Sequence, residues 1–316
     1  MNAVTWSGLF VLAAGVIGCR SVAPTPKTTD PEIMKLARTA AQTHRHVSPA
    51  RAAPLYRAAL ARAYALGDRA AAGRLAYNLA VCLAESGDLE TALRLVREAQ
   101  MDLRRSGASV AEATMLEAVL CFDAGDRAAG EAVARAMTAA QAEKRGDLIV
   151  QACALRAEMA LENGDANIAE AELRKARRYL SSTLPPSSAA RFHAACGRLA
   201  GQRGDHRAAK NAFHSEAKAW GHAGLASRVS DALDRAALAA IQAEDWTGAS
   251  EAWLDAARSR AAQGDIDGAA ARLKRLADLP EGPPDRAIQS AADRLARELE
   301  QRRHAQAPSS IPAATP

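Results

Sequence analysis

The side chains best suited to chemistry are few and thinly spread along this chain. Beyond Cys19 there are four cysteines, Cys82, Cys121, Cys153 and Cys196, and seven histidines. A metal site on helices would bring such groups together at i, i+4 on one face, or as Cys-x-x-Cys. His44 and His46 are two apart, on opposite sides of a helix. His206, His214 and His222 step by eight, about 80° of helix rotation each time. These histidines read as surface or capping groups. The four cysteines lie among small apolar neighbours and read as buried thiols, with a disulfide as the alternative in an oxidising compartment. No Gly-x-Ser-x-Gly, no phosphate loop ending in Gly-Lys-Ser or Gly-Lys-Thr, and no His-Glu-x-x-His occurs. Each of those patterns fixes a nucleophile, a phosphate or a zinc ion in a defined geometry. Carboxylates are plentiful, but on solvated helix faces they serve as ion-pair material. No catalytic residue, metal or cofactor is assigned.

The elements that carry these residues are legible in the composition. About 80 of the 316 residues are alanine and only 4% are aromatic. Alanine is the best helix former and a poor strand residue, so the chain is expected to be all-α. The net charge of +5 is spread over 41 basic and 36 acidic residues of interspersed sign. That pattern describes a mixed solvated surface and not a nucleic-acid stripe.

A repeat organises the body. Gly87-Asp88, Gly125-Asp126, Gly164-Asp165 and Gly204-Asp205 recur at steps of 38, 39 and 40 residues, and Glu244-Asp245 follows 40 later. Five residues after each first member comes a small residue: Ala92, Gly130, Ala169, Ala209, Ala249. Seven before it stands another: Ala80, Ala118, Ala157, Gly197, Ala237. A larger group falls nine after, at Val96, Leu173, Phe213 and Trp253, with Ala134 in the second copy. A Gly that ends one helix and an Asp that caps the next define a helical hairpin. Small residues on both sides let the two axes approach to about 8 Å. Gly67-Asp68, Gly146-Asp147 and Gly264-Asp265 supply half-period corners. About fourteen helices are expected between Asp30 and His304, with breaks at Pro185-Pro186 and Gly282-Pro283-Pro284. The helices either side of the first break are expected near 166–182 and 187–203.

Leu79-Ala80, Gly87, Leu89, Ala92, Val96 and Ala99 resemble the tetratricopeptide repeat in order and spacing, over roughly residues 50–280. The resemblance implies a right-handed α-solenoid of antiparallel helix pairs. It also implies that a concave surface of first helices binds an extended peptide or a helix. Carried over by position, that groove would include Arg74, Tyr77, Glu112, Met115, Phe122, Glu158, Arg191, Arg198, Asp231 and Asp234. Arg191 and Arg198 are seven apart and would point together, able to pair with carboxylates of a partner. Trp246 and Trp253 share a face. Phe213 and Trp253 sit at the repeat's packing position and read as core, with aromatic groove anchors as the alternative.

The N-terminus is a separate object. Residues 1–18 contain no Asp, Glu, Lys or Arg, and Leu9 to Ile17 is an apolar and small-residue run too short to span about 30 Å of hydrocarbon without its flanks. It fits the apolar region of a secretory signal. Val16-Ile17-Gly18-Cys19 resembles the lipobox of bacterial lipoproteins, which implies cleavage before Cys19 and acylation of its thiol. The alternatives are an uncleaved membrane anchor or a soluble cytoplasmic chain. The expected organisation is a signal in 1–18, a Pro- and Thr-rich tether in 19–30, a repeat domain in 31–284, a charged capping helix in 285–304 and a disordered tail in 305–316. These features describe a non-catalytic scaffold in the bacterial envelope. It would face the periplasm from the outer membrane, with the inner membrane as the alternative. Its partner would be another envelope protein or peptide, in outer-membrane assembly, pilus biogenesis or murein-enzyme control, with no nucleic acid and no small-molecule substrate evident. An envelope hydrolase on a repeat-shaped body, or a cytoplasmic membrane-tethered regulatory repeat protein, is the rival reading.

Overall fold

The computed structural model describes residues 30–46, 48–181, 183–280 and 285–306. The signal, Cys19, most of the tether, the Gly282-Pro283-Pro284 break and residues 307–316 lie outside them. Among the described residues there are fourteen α-helices and no strand: α1 (Pro31–His46), α2 (Pro49–Ala65), α3 (Arg69–Glu85), α4 (Leu89–Arg105), α5 (Ala111–Asp123), α6 (Ala129–Ala142) and α7 (Gly146–Glu162). These are followed by α8 (Ala166–Arg177), α9 (Pro186–Gln202), α10 (His206–His222), α11 (Ala226–Gln242), α12 (Trp246–Ala262), α13 (Ile266–Ala277) and α14 (Arg286–Gln306). None is long and apolar enough to cross a membrane.

One local device sets the helix lengths. At Gly87 the backbone turns left-handed (φ 90°). Its N–H donates to the Ala84 carbonyl (3.0 Å), and the Asp88 N–H reaches back to the Leu83 carbonyl (2.9 Å). These two bonds satisfy carbonyls that the helix end would otherwise leave open. Asp88 then accepts the Thr91 N–H on its side chain (3.1 Å) and starts α4. A cap of this kind contributes about 1 kcal/mol. One residue thus closes a helix and the next opens another. The left-handed corner recurs at 67, 107, 125, 164, 204, 224 and 264, all glycine, and at Lys144 (φ 54°) and Glu244 (φ 55°). Asp68, Asp205, Asp245 and Asp265 cap α3, α10, α12 and α13 as Asp88 caps α4.

Three details differ from the sequence pattern. The corner expected at Gly146-Asp147 falls at Lys144, and Gly146 is the first residue of α7. The Lys144 N–H and the Arg145 N–H close α6 onto Gln141 and Ala140, so the chain has already turned before the glycine arrives. In the second copy Asp126 accepts the Ala128 N–H, and α6 starts only at Ala129. Ala129 packs inward, and Gly130 and Ala134 are exposed. Finally, α8 stops at Arg177, well short of 182.

The described chain divides into two compact units, residues 30–156 with 175–181, and residues 157–174 with 183–280 and 285–306. In the first unit α1 to α6 pack in sequence, each against the next, with α3 also touching α5. Its fully enclosed side chains are mostly aliphatic, among them Ile33, Leu75, Val96, Met115, Leu116 and Leu120, with Tyr56 as an aromatic exception. In the second unit α9 to α13 pack in sequence, and α14 lies on α12 and α13. Phe213 and Trp253 sit in its main core cluster, with Trp246 packed on the edge. The core assignment of these aromatics therefore holds. Close helix approach is visible at Gly197, where a Cβ would lie 2.6 Å from the Phe213 ring. Ile288, Ala292 and Leu299 fasten α14, whose other face is exposed and charged. Cys82, Cys121 and Cys153 are buried as thiols, and Cys196 is a half-buried thiol.

Each unit also buries a glutamate. Glu117 on α5 accepts from Arg97 (3.1 Å), Gln100 (2.9 Å) and Arg135 (3.4 Å). Burial pushes its pKa up, but these donors more than reverse that and hold it below the ordinary range. Glu216 on α10 accepts from Arg235 (2.6 Å) and Trp220 (3.0 Å) on one oxygen, and its second oxygen is buried without a partner. Its pKa is raised, first by burial and further by the charge of Glu158, against the pull of Arg235 and Trp220.

Candidate functional site: a cleft at two irregular corners

Two corners of the first unit, one on each side of the Gly125-Asp126 bend, lack the capping Asp. Ala108 follows Gly107, and Arg145 follows Lys144. The helix after each corner must find another way to satisfy its first N–H groups. For α5, whose own N-cap Val110 offers no side chain, Glu143 reaches across from the end of α6. One of its oxygens accepts the Val110 N–H (3.2 Å) and the Ala111 N–H (3.3 Å), and the other accepts the Ser109 hydroxyl (2.5 Å). At the second corner Arg145 donates twice to Asp147 (2.9 and 2.9 Å) and once to Glu112 (3.0 Å). The bonds to Asp147 and Glu112 raise the Arg145 pKa against the effect of burial. Burial alone would raise Asp147, but Arg145 holds it below the ordinary carboxylate range.

These replacements leave a cleft of about 150 Å³ between α3, the end of α4, the start of α5 and Arg145. Arg74, Tyr77, Leu103, Ser109, Glu112, Ala113 and Arg145 line it. Gly73 holds α3 and α4 close beside it: a Cβ there would lie 2.8 Å from Leu103 Cγ. Arg145 and Glu112 answer each other. Arg74 is half-buried and has no hydrogen bond or ion pair among the described residues. The cleft thus offers one uncommitted guanidinium, an aromatic ring and a short apolar wall. Small-molecule pockets run to roughly 300–1,000 Å³, so this space suits one protruding side chain better than a whole metabolite.

Of the residues expected to face a partner, Arg74, Tyr77 and Glu112 meet at this cleft. The others are placed elsewhere. Met115, one turn beyond Glu112, is buried in the core at 1% exposure, and Phe122 is half-buried near the far end of α5. In the second unit Arg198 lies 3.7 Å from Glu158 and 3.6 Å from Glu162. Asp231 pairs with Arg260 (2.6 Å) and Asp234 with Arg272 (2.5 Å). Arg191 is buried on α9. Cys19 lies outside the described residues. Sequence reasoning missed Leu103, Ser109, Glu143 and Arg145. The signal that could have found them is the loss of Asp from the corner series at Ala108 and Arg145. His44 also departs from its expected surface place: it is buried, with Nε2 2.6 Å from Glu85 Oε2.

Among the described residues no group of three or more His, Cys, Asp or Glu is placed to hold a metal ion. No protein-family model matches the chain, and no curated protein matches it either. The likeness to tetratricopeptide arrays stands at the level of the architecture, repeated helix pairs joined by short corners.

Proposed function

We propose that this chain is a non-catalytic scaffold of the bacterial envelope, held to the membrane by acylated Cys19. It docks a segment of another envelope protein on the Arg74–Tyr77–Glu112 cleft. The helical-repeat architecture supports a binding role, since stacked hairpins present a long surface without needing a mobile site. One observation carries the choice of surface. Three residues placed by repeat position on the partner-facing side converge where two corners depart from their own rule, and departures of this kind mark functional places in otherwise consistent folds. The lipobox-like Val16-Ile17-Gly18-Cys19 supports the anchor, and two or more acyl chains hold a protein stably where one does not.

The test has two parts. Mass spectrometry of the mature N-terminus should find a diacylated or triacylated Cys19; an unmodified Met1 sets the anchor aside. A photo-crosslinking residue at Ser109 should then trap one discrete partner in cells, and Arg74→Glu should reduce that adduct at least tenfold. Equal trapping from the exposed Ser290 would overturn the cleft assignment.

A further inference from the structure

Arg191 is a permanent cation set at 9% exposure. Its Nε is buried without a hydrogen-bond partner, and no carboxylate or carbonyl among the described residues answers the guanidinium. The other buried charges with described partners are treated differently. Glu216 has Arg235 and Trp220, and Glu117 has three donors. A buried charge with no counter-charge destabilises the fold unless something neutralises it.

The position of Arg191 says what that something is. It lies in the second turn of α9, a helix of 17 residues that begins at Pro186. The N-cap residue is Pro185, and no side chain caps this end. Pro186 has no N–H to give, and the Ser188 and Ala189 N–H groups bond to the Pro185 carbonyl (3.0 and 3.2 Å). The Ser187 N–H takes part in no such bond. Ser187 is itself buried at 4% exposure and stands four residues before Arg191, on the same helix face. Helical side chains lean back toward the N-terminus, which carries the guanidinium over this first turn. A positive helix end, a spare N–H, a hydroxyl and an unanswered guanidinium thus lie along one face of the first two turns of α9.

We propose that the first turn of α9, through Ser187 and Arg191, binds a tetrahedral oxyanion of the phosphate type. With both Ser187 and Arg191 buried, a compact group with several acceptor oxygens suits them best, and the planar guanidinium can hold two of those oxygens at once. The site is independent of the cleft in the first unit, and either can fail without the other.

The experiment is calorimetry and thermal unfolding of the full mature chain in inorganic phosphate, in glycerol 3-phosphate and in chloride, at matched ionic strength. Saturable binding of phosphate is expected, with a Tm rise of several degrees over chloride. Arg191→Gln should weaken binding at least tenfold, and Arg191→Lys should retain part of it. In chloride alone Arg191→Gln should melt no lower than the parent, because it removes a charge that nothing balances. An effect of inorganic phosphate only identifies the free ion. An equal effect of glycerol 3-phosphate identifies a phosphoryl group carried on a larger molecule. Absence of a saturable heat for the parent chain in both inorganic phosphate and glycerol 3-phosphate overturns the proposal, whatever the variants do. So does an unchanged phosphate affinity in Arg191→Gln.

Discussion

Glu117 and Glu216 are buried to almost the same degree, 5% and 2% exposed, yet they titrate in opposite directions. Both sit on helices of the same kind of array, and each faces an arginine of the next helix, Arg135 or Arg235. The difference is the number of donors. Glu117 spreads three over two oxygens, whereas Glu216 stacks two on one oxygen and leaves the other bare. Burial sets the cost of a charge, and the hydrogen-bond count decides whether the fold recovers it.

That contrast is open to direct attack. The largest effect is expected from neutralising each acid in place. Hydrogen bonds to a charged group contribute about 1.5–3 kcal/mol. Arg97 and Arg135 are half exposed and regain water when released. Glu117→Gln should therefore cost about 2 kcal/mol in urea unfolding, and Glu216→Gln less than about 0.5 kcal/mol. Equal losses would mean that the bare oxygen of Glu216 is answered after all.

Acid should separate the pair next. The depressed pKa of Glu117 gives stability that is complete above the unfolded value and is lost as pH falls through the folded one. The raised pKa of Glu216 works the other way: its ionised form penalises the fold at neutral pH, and the penalty is relieved as pH falls toward the unfolded value. Glu216→Gln should remove a gain in stability between neutral pH and about 4.5, and Glu117→Gln should remove part of the loss below it. Asp30, Asp147, Glu170 and Asp245 are also depressed and add to that loss in both variants. Urea midpoints from pH 3 to 7 read both slopes; parallel curves for the two variants would refute the assignment.

The smallest effect concerns features in which the units agree. Lys144 and Glu244 each hold a left-handed corner that glycine holds elsewhere. That conformation costs an L-residue roughly 1–2 kcal/mol, and glycine's extra freedom when unfolded returns about half. Lys144→Gly and Glu244→Gly should each raise stability by about 0.5–1 kcal/mol in thermal unfolding. Similar gains would show that corners, unlike buried acids, are insensitive to context. A loss in either would show that its side chain has a local role.

Much of this fold was legible because one dipeptide performs two jobs. Gly87-Asp88 and Gly204-Asp205 announce a helix end and a helix start together, and small residues at fixed offsets then give the packing. Glu244 was legible by phase alone. The cleft was only partly so. Arg74, Tyr77 and Glu112 follow from repeat position, but Glu143 and Arg145 act as stand-ins across 33 residues of chain, and no periodicity encodes a substitute. Arg191 shows a further limit. Position placed it on a helix face, and only the packing of the folded chain closes that face over it.

The corners also bear on how such a chain can change in length. Gly204 and Glu244 are equivalent bends, each followed by an Asp that opens the next helix. Joining Gly204 directly to Asp245 would excise one whole hairpin and leave a bend with the same two residues as the others. Duplication at the same points would insert one. The molecule therefore carries its own splice sites, and its span can be revised in steps of about forty residues without inventing a new connection.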